Sequence, residues 1–240
     1  MGYRLLEQFE AEMAGQVYRH RVSTVGDRIA AMVYEDLAGM DPEHGSKKLV
    51  QRLHDRSRVR NTNNTAVGLR SRRPDGAMGE LIPGEKFKVA PETLVAMGPA
   101  ANFEIGVEVK ILAKAMIKQI DRVISDLRRQ VEHFRHDGPH CITIGIIGVN
   151  HADHYVGFEG DRPYPTTAKG GNPHPSQEAE EAIRRVKERA APDFDEFIVL
   201  RFKATNEAPF PFSWVSPAEA RQQYGAALVR IARKYDQRFG

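Results

Sequence analysis

The fold is decided by the stretch FEIGVEVK at residues 103–110, which has the pattern of a β-strand with a polar end. Its first five residues are mostly apolar, as is typical of a strand inside a sheet. Glu108 and Lys110 lie two residues apart, so on a strand their side chains point to the same face. An amphipathic helix pattern begins directly afterwards. The stretch therefore predicts a carboxylate beside an ammonium group at the rim of an α/β core.

The segments before this strand predict helices followed by strands. Apolar residues at helical spacing indicate helices at residues 4–20 and from Thr24 to just before the turn at Gly39. A short helix is expected at residues 47–54 and two strands near residues 86–96 and 102–111. The first 40 residues or so are therefore expected to be helical.

The segments after the strand alternate between helix and strand. The clearest helix carries apolar residues from Met116 to Phe134 at three- and four-residue spacing, and Gly138-Pro139 ends it. Further elements are expected in the order strand 141–149, loop 157–176, helix 177–190, strand 196–202 and a last helix capped by Ser216. The predicted fold class is α/β, with a mixed central β-sheet flanked by helices in one domain over residues 1–240.

Composition excludes several classes of protein. Hydrophobic residues make up 41% of the chain and charged residues 28%, as in an ordinary globular protein. No apolar run approaches the roughly 18 to 20 residues that cross a membrane. The single cysteine, Cys141, cannot form an internal disulfide or a cysteine-based zinc site, so a reducing, cytoplasmic location is expected. Phosphate-loop, dinucleotide-binding and serine-hydrolase motifs are missing.

Positive charge is concentrated in a basic insertion at residues 46–73. That window holds nine Lys or Arg residues against one acid, a net charge of +8, whereas the whole chain carries +3. Segregated charge of this kind indicates a polyanionic partner, with a solvated basic loop as the alternative. The basic residues are Lys47, Lys48, Arg52, Arg56, Arg58, Arg60, Arg70, Arg72 and Arg73.

Two short motifs and the order of elements resemble the PD-(D/E)XK, or restriction-endonuclease-like, nuclease superfamily. Pro91-Glu92 stands before the apolar run Thr93-Leu94-Val95-Ala96, and Glu108-Val109-Lys110 ends the next strand. A long helix and a buried strand follow, so the resemblance covers residues 24 to 149. Glutamate replaces the usual aspartate after proline at position 92.

The resemblance implies a catalytic centre made of Glu92, Glu108 and Lys110. Glu92, Glu108 and the Val109 carbonyl would bind Mg²⁺, with Mn²⁺ able to substitute, because Mg²⁺ prefers oxygen ligands. Lys110 would orient or activate the attacking water and stabilise developing charge. Other candidates for the first acid are Asp75, which follows Pro74, and also Glu80 and Glu104. Glu35 is a candidate auxiliary acid.

The implied function is a metal-dependent DNA endonuclease. Lys114 and Gln119, on the first turns of the long helix, would lie near the scissile phosphate. Asn63 would reach base edges from within the basic insertion, whose cations would contact phosphates. Cleavage of both strands of a duplex needs two centres and so implies a homodimer, in a restriction or phage-defence role. The alternative is a catalytically silent nucleic-acid-binding or assembly subunit on the same fold.

Overall fold

The computed structural model describes residues 2–20, 22, 24–62, 74–114, 116–166 and 174–240. A mixed sheet of seven strands stands at its centre, in the order β3-β1-β2-β4-β5-β8-β9. Two more strands, β6 and β7, form a separate hairpin. The strands are β1 Arg58–Asn61, β2 Gly76–Glu80, β3 Met97–Gly98, β4 Ile105–Leu112, β5 Ile142–Asn150, β6 Val156–Glu159, β7 Arg162–Pro165, β8 Glu196–Ala204 and β9 Phe212–Trp214.

Helices cover both faces of the sheet. One face packs against α1, α2, α3 and α6, and the other packs against α4 and α5. In the described part of the chain, no helix is both long enough and apolar enough to cross a membrane. The helices are α1 Arg4–Met13, α2 Thr24–Ala38, α3 Lys47–His54, α4 Met116–Asp137, α5 Pro175–Arg189 and α6 Pro217–Phe239.

The middle of the sheet is parallel and its sides are antiparallel. β4 pairs with β5, and β5 with β8, in parallel register. β2 runs antiparallel to β4, and β9 runs antiparallel to β8. Every residue of β5 is buried, which explains its unbroken apolar sequence, because a strand covered on both faces needs no polar alternation. The predicted α/β class with a mixed, helix-flanked sheet is therefore confirmed.

Three segment predictions are wrong. The first helix ends at Met13, so residues 14–20 are not helical. Residues 86–96 do not form the predicted strand; they are mostly irregular, with a turn at Pro91-Glu92 and one β-bridge between Lys88 and Met97. The predicted loop at residues 157–176 contains most of the β6–β7 hairpin, although residues 167–173 lie outside the described part.

The register of β2 leaves one edge of β4 open for a side chain. β2 begins at Gly76, which pairs with Val107, while β4 continues to Leu112. Beyond Val107, Pro74 and Asp75 border this edge of β4 instead of a strand. The sheet thus places Asp75 beside the polar end of β4.

Candidate metal centre

Glu108 and Lys110 lie on the face of β4 that is turned towards α4. Their side chains form an ion pair, so they share one face of the strand as the sequence predicted. Glu108 is only 6% exposed, and the Lys110 side chain is partly exposed. A buried carboxylate is costly unless it is hydrogen-bonded or paired with a cation. Lys110 provides this pairing.

Asp75 joins the pair from the neighbouring segment. The backbone N–H of Val109 donates a hydrogen bond to Asp75 Oδ2 at 2.8 Å. Within a strand the N–H and C=O of one residue point to the same side, so the Val109 carbonyl is directed to the edge where Asp75 lies. The carboxylates of Asp75 and Glu108 and the carbonyl of Val109 therefore converge next to Gly76, the first residue of β2.

Gly26, in the first turn of α2, provides the space for Asp75. A Cβ at this position would lie 2.5 Å from Asp75 Oδ1, so any larger residue would displace the carboxylate. Val25 and Gly26 line the same cleft as Asp75. The start of α2 therefore forms a wall behind the acid.

The electrostatics of the three side chains are coupled. Burial raises the pKa of Asp75 to about 7, and the nearby Glu108 carboxylate adds to this rise. Burial would lower the pKa of Lys110, but the charges of Glu108 and Asp75 outweigh it, and the pKa of Lys110 is raised. In the absence of a metal, Lys110 is therefore a fixed cation and not a base.

These groups lie in an open cleft with a volume of about 640 Å³. The end of β4, from Glu108 to Lys114, lines the cleft together with α4. Tyr18 and Tyr155 lie on other parts of its wall. The cleft has the size of a ligand pocket, since such pockets typically measure roughly 300 to 1,000 Å³.

Asp126 and Gln130 on α4 also line the cleft, and the sequence analysis missed them. Asp126 lies close enough to Lys110 to contribute to its raised pKa. Gln130 is 3% exposed, and its Nε2 has no hydrogen-bond partner within the described residues. Both lie next to the apolar stripe of α4 that includes Leu127 and Val131. The spacing of that stripe is unbroken, so it gave no signal for either residue.

Glu92 lies away from this centre. It is exposed, it occupies a turn with a φ of 66°, and its carbonyl accepts a hydrogen bond from Arg4 Nη1 at 3.1 Å. Glu92 does not line the cleft that contains Asp75, Glu108 and Lys110. The structure therefore brings Asp75, and not Glu92, together with the Glu-Val-Lys motif.

The remaining candidate acids have other roles. Glu104 accepts hydrogen bonds from Arg58 Nε at 2.7 Å and from the Tyr235 hydroxyl at 2.6 Å. Glu35 is buried and accepts hydrogen bonds from the backbone N–H groups of residues 94 and 95, so it fixes the turn after Glu92. Glu80 is exposed at the end of β2. None of the three lines the cleft.

Several arginines of the basic insertion serve the fold. Arg52 donates a hydrogen bond to the Tyr235 hydroxyl at 3.1 Å, and Arg56 donates to the carbonyls of Leu53 and Leu94. Arg58 pairs with Glu104, whereas Arg60 contacts the sulfur of Met97. Lys47 is exposed and Lys48 half-buried on α3. Asn63, Arg70, Arg72 and Arg73 lie outside the described residues.

Two other predicted contacts do lie at the cleft. Lys114 follows the end of β4 and Gln119 lies on the first turn of α4, and both line the cleft. Arg122 joins them one turn further along α4. Lys114, Gln119 and Arg122 thus present two cations and one amide to the cleft.

The donor set suits a hard divalent cation. Carboxylate and carbonyl oxygens are the ligands that Mg²⁺ and Mn²⁺ prefer, and a cation would relieve the repulsion that raises the pKa of Asp75. A second group, Asp41, Glu43 and His44, brings ligand atoms within 4.8 Å of one another, but all three residues are exposed. No family model, curated protein or solved structure matches this chain.

Proposed function

We propose that the chain is a metal-dependent endonuclease that hydrolyses phosphodiester bonds of DNA on a restriction-endonuclease-like fold. The observation that carries this proposal is the convergence of Asp75, Glu108 and Lys110 in one cleft. Asp75 replaces Glu92 as the first acid, because Asp75 contacts the backbone of Val109 and Glu92 lies elsewhere. The motif then consists of Pro74-Asp75 followed by Glu108-Val109-Lys110.

The residues of the centre divide the chemistry between them. Asp75, Glu108 and the Val109 carbonyl would hold Mg²⁺ or Mn²⁺. Such an ion, when bound, polarises a phosphate oxygen and lowers the pKa of bound water. Lys110 would stabilise the charge that develops on the phosphate, as preorganised cations do in phosphoryl transfer.

The cleft explains how the substrate would be positioned. Lys114 and Arg122 provide positive charge beside the acidic centre, and Gln119 provides a hydrogen-bond donor. Phosphate contacts of this kind determine position and not sequence. We infer that recognition of a specific sequence, in a restriction or phage-defence role, would need other parts of the chain.

The duplex is the proposed substrate, and cutting both of its strands requires two centres. One chain provides one such centre within the described residues, so a homodimer is proposed.

The test is cleavage of plasmid and phage DNA with Mg²⁺, with Mn²⁺ and with EDTA. We expect metal-dependent cutting by the wild type, and a loss of at least 100-fold in Glu108→Gln and Lys110→Ala, since removing one stabilising group typically costs 10²–10³ in rate. The matched control is Glu80→Gln, an exposed acid on the neighbouring strand. DNA binding without cutting under any condition would instead support the silent binding subunit.

A further inference from the structure

The β6–β7 hairpin is firmly attached beside the cleft. The Val156 N–H donates to the Thr205 carbonyl at 2.8 Å, and Asn206 Nδ2 donates to the Val156 carbonyl at 2.7 Å. Tyr155 and Thr166 close the base of the hairpin through backbone and hydroxyl hydrogen bonds of 2.8 to 3.0 Å. Because Tyr155 also lines the cleft, the hairpin is a fixed part of its rim.

Tyr164 is exposed on this hairpin between two cations. The residue is 36% exposed. Lys114 Nζ lies 5.8 Å from the ring centroid, and the Arg162 guanidinium carbon lies 5.4 Å from it. Both distances fall within the range of about 6 Å over which a cation is attracted to an aromatic face. Tyr164 therefore contacts two positive charges.

Lys114 connects the hairpin to the cleft. It lines the cleft, and a Cβ at Gly157 would lie 2.4 Å from Lys114 Nζ, so the glycine leaves space for the lysine to cross the hairpin. Lys114 lies four residues after Lys110, which corresponds to at most about 13 Å of extended chain. The lysine that contacts the hairpin therefore lies near the proposed catalytic centre.

Lys114 and Arg162 form no ion pair with a carboxylate in the described part of the chain, although Glu159 lies opposite Arg162 in the hairpin. Arg19, which contacts the same hairpin, pairs with Asp161 at 2.8 Å. An aromatic ring orients a cation without cancelling its charge, and a carboxylate cancels it. The two cations are therefore positioned and still able to bind an anion.

The free edge of the hairpin is unsuited to pairing with another strand. β7 has the sequence Arg162-Pro163-Tyr164-Pro165, and all four residues are exposed. Proline lacks a backbone donor, and proline at an edge prevents strand addition. We therefore expect β7 to contact a partner molecule through its side chains.

We propose that Lys114, Arg162 and Tyr164 form a phosphate clamp on the rim of the cleft. The clamp binds the nucleic-acid backbone beside the bond that is cut. This inference rests on the proposed function and extends it, because it places the substrate along the line from Lys110 to the hairpin. Lys114 and Arg162 contact phosphate oxygens, and Tyr164 keeps the two cations together.

The experiment measures the salt dependence of DNA binding by fluorescence anisotropy, with a 30-base-pair duplex and EDTA to prevent cutting. Each lost phosphate contact lowers the slope of log K against log salt concentration by about one. We expect the slope of Lys114→Ala/Arg162→Ala to fall by about two. Tyr164→Ala should lower affinity and Tyr164→Phe should retain it, because phenylalanine keeps the ring. The matched control is Lys187→Ala/Arg233→Ala, which removes two exposed charges outside the cleft.

The outcomes separate the clamp from the nuclease. If Lys114→Ala/Arg162→Ala keeps the wild-type slope and the protein cuts DNA, the clamp proposal is wrong and the nuclease proposal is unaffected. A reduced slope in a protein that never cuts supports the clamp and contradicts the nuclease. A wild type that neither binds nor cuts DNA overturns both.

Discussion

The carboxylate of Asp75 accepts a hydrogen bond from the backbone N–H of Val109, with 2.8 Å between Oδ2 and N. This bond links two segments that are 34 residues apart in the chain. It replaces the strand pairing that β4 loses beyond Val107, and it places an acid between Glu108 and the start of α2. The remaining geometry of the centre depends on this link.

Gly26→Ala tests the space behind Asp75. Alanine favours a helix by about 1 kcal/mol over glycine, so the helix itself should tolerate the change. The new Cβ would meet the Asp75 carboxylate, and we therefore expect cleavage to fall at least about tenfold, as misplacement of a catalytic group does. The control is Gly225→Ala in α6, whose Cβ would meet the Tyr3 hydroxyl. Equal cleavage by Gly26→Ala and wild type would contradict the role of Asp75.

The stability of the metal-free protein should fall as pH rises from about 4 to 7. Asp75 has a pKa of about 7 in the folded chain and about 3.9 when unfolded, so the folded state binds more protons in this window. Deprotonation then leaves a buried charge that destabilises the fold. Added Mg²⁺ should raise the melting temperature more at pH 8 than at pH 5, because it binds the charged carboxylate.

Thermal denaturation across this pH range, with EDTA and with Mg²⁺, provides the measurement. Asp75→Asn should lose most of the pH dependence and of the response to Mg²⁺. A melting temperature that depends on pH equally in Asp75→Asn and wild type would assign the effect to other groups.

Gln130→Leu separates a positioning role from a structural one. The buried Nε2 has no partner within the described residues, so its removal should leave stability unchanged or raise it by about 1 to 3 kcal/mol. We expect the rate of cleavage to fall although the protein is as stable as before. Chemical denaturation measures the stability, and single-turnover cleavage measures the rate. If the variant cuts at the wild-type rate, Gln130 has no role in the centre.

Arg58→Met should destabilise the fold, because its partner Glu104 would remain buried without its cation. The Arg58 and Glu104 side chains are 11% and 4% exposed, and breaking a buried pair typically costs about 3 to 5 kcal/mol. Lys47→Ala, at an exposed position, should change the free energy of unfolding by less than about 0.5 kcal/mol. Equal stability of the two variants would show that the Arg58 pair contributes nothing to the fold.

The sequence allowed the Glu108–Lys110 pair to be predicted because a strand repeats every two residues. The same reasoning could not select Asp75 among the candidate acids. The strand that follows it, β2, has only five residues, two of them glycine, and it is held in place by long-range pairing with β4 that leaves no local pattern. The apolar residues after Glu92 gave a false strand pattern, because Val95 and Ala96 are buried although they do not lie in a strand. Local periodicity therefore identified Glu108 and Lys110, whereas the pairing of β2 with β4 places Asp75 beside them.

Calorimetric titration of Mn²⁺ into Asp75→Asn and Glu92→Gln tests whether Asp75 is the first metal-binding acid. The two variants make the same chemical change, one inside the cleft and one outside it. We expect Glu92→Gln to bind Mn²⁺ as the wild type does and Asp75→Asn to bind it at least about tenfold more weakly, since a lost ligand charge weakens such sites. Weakened binding in Glu92→Gln with wild-type binding in Asp75→Asn would contradict this expectation.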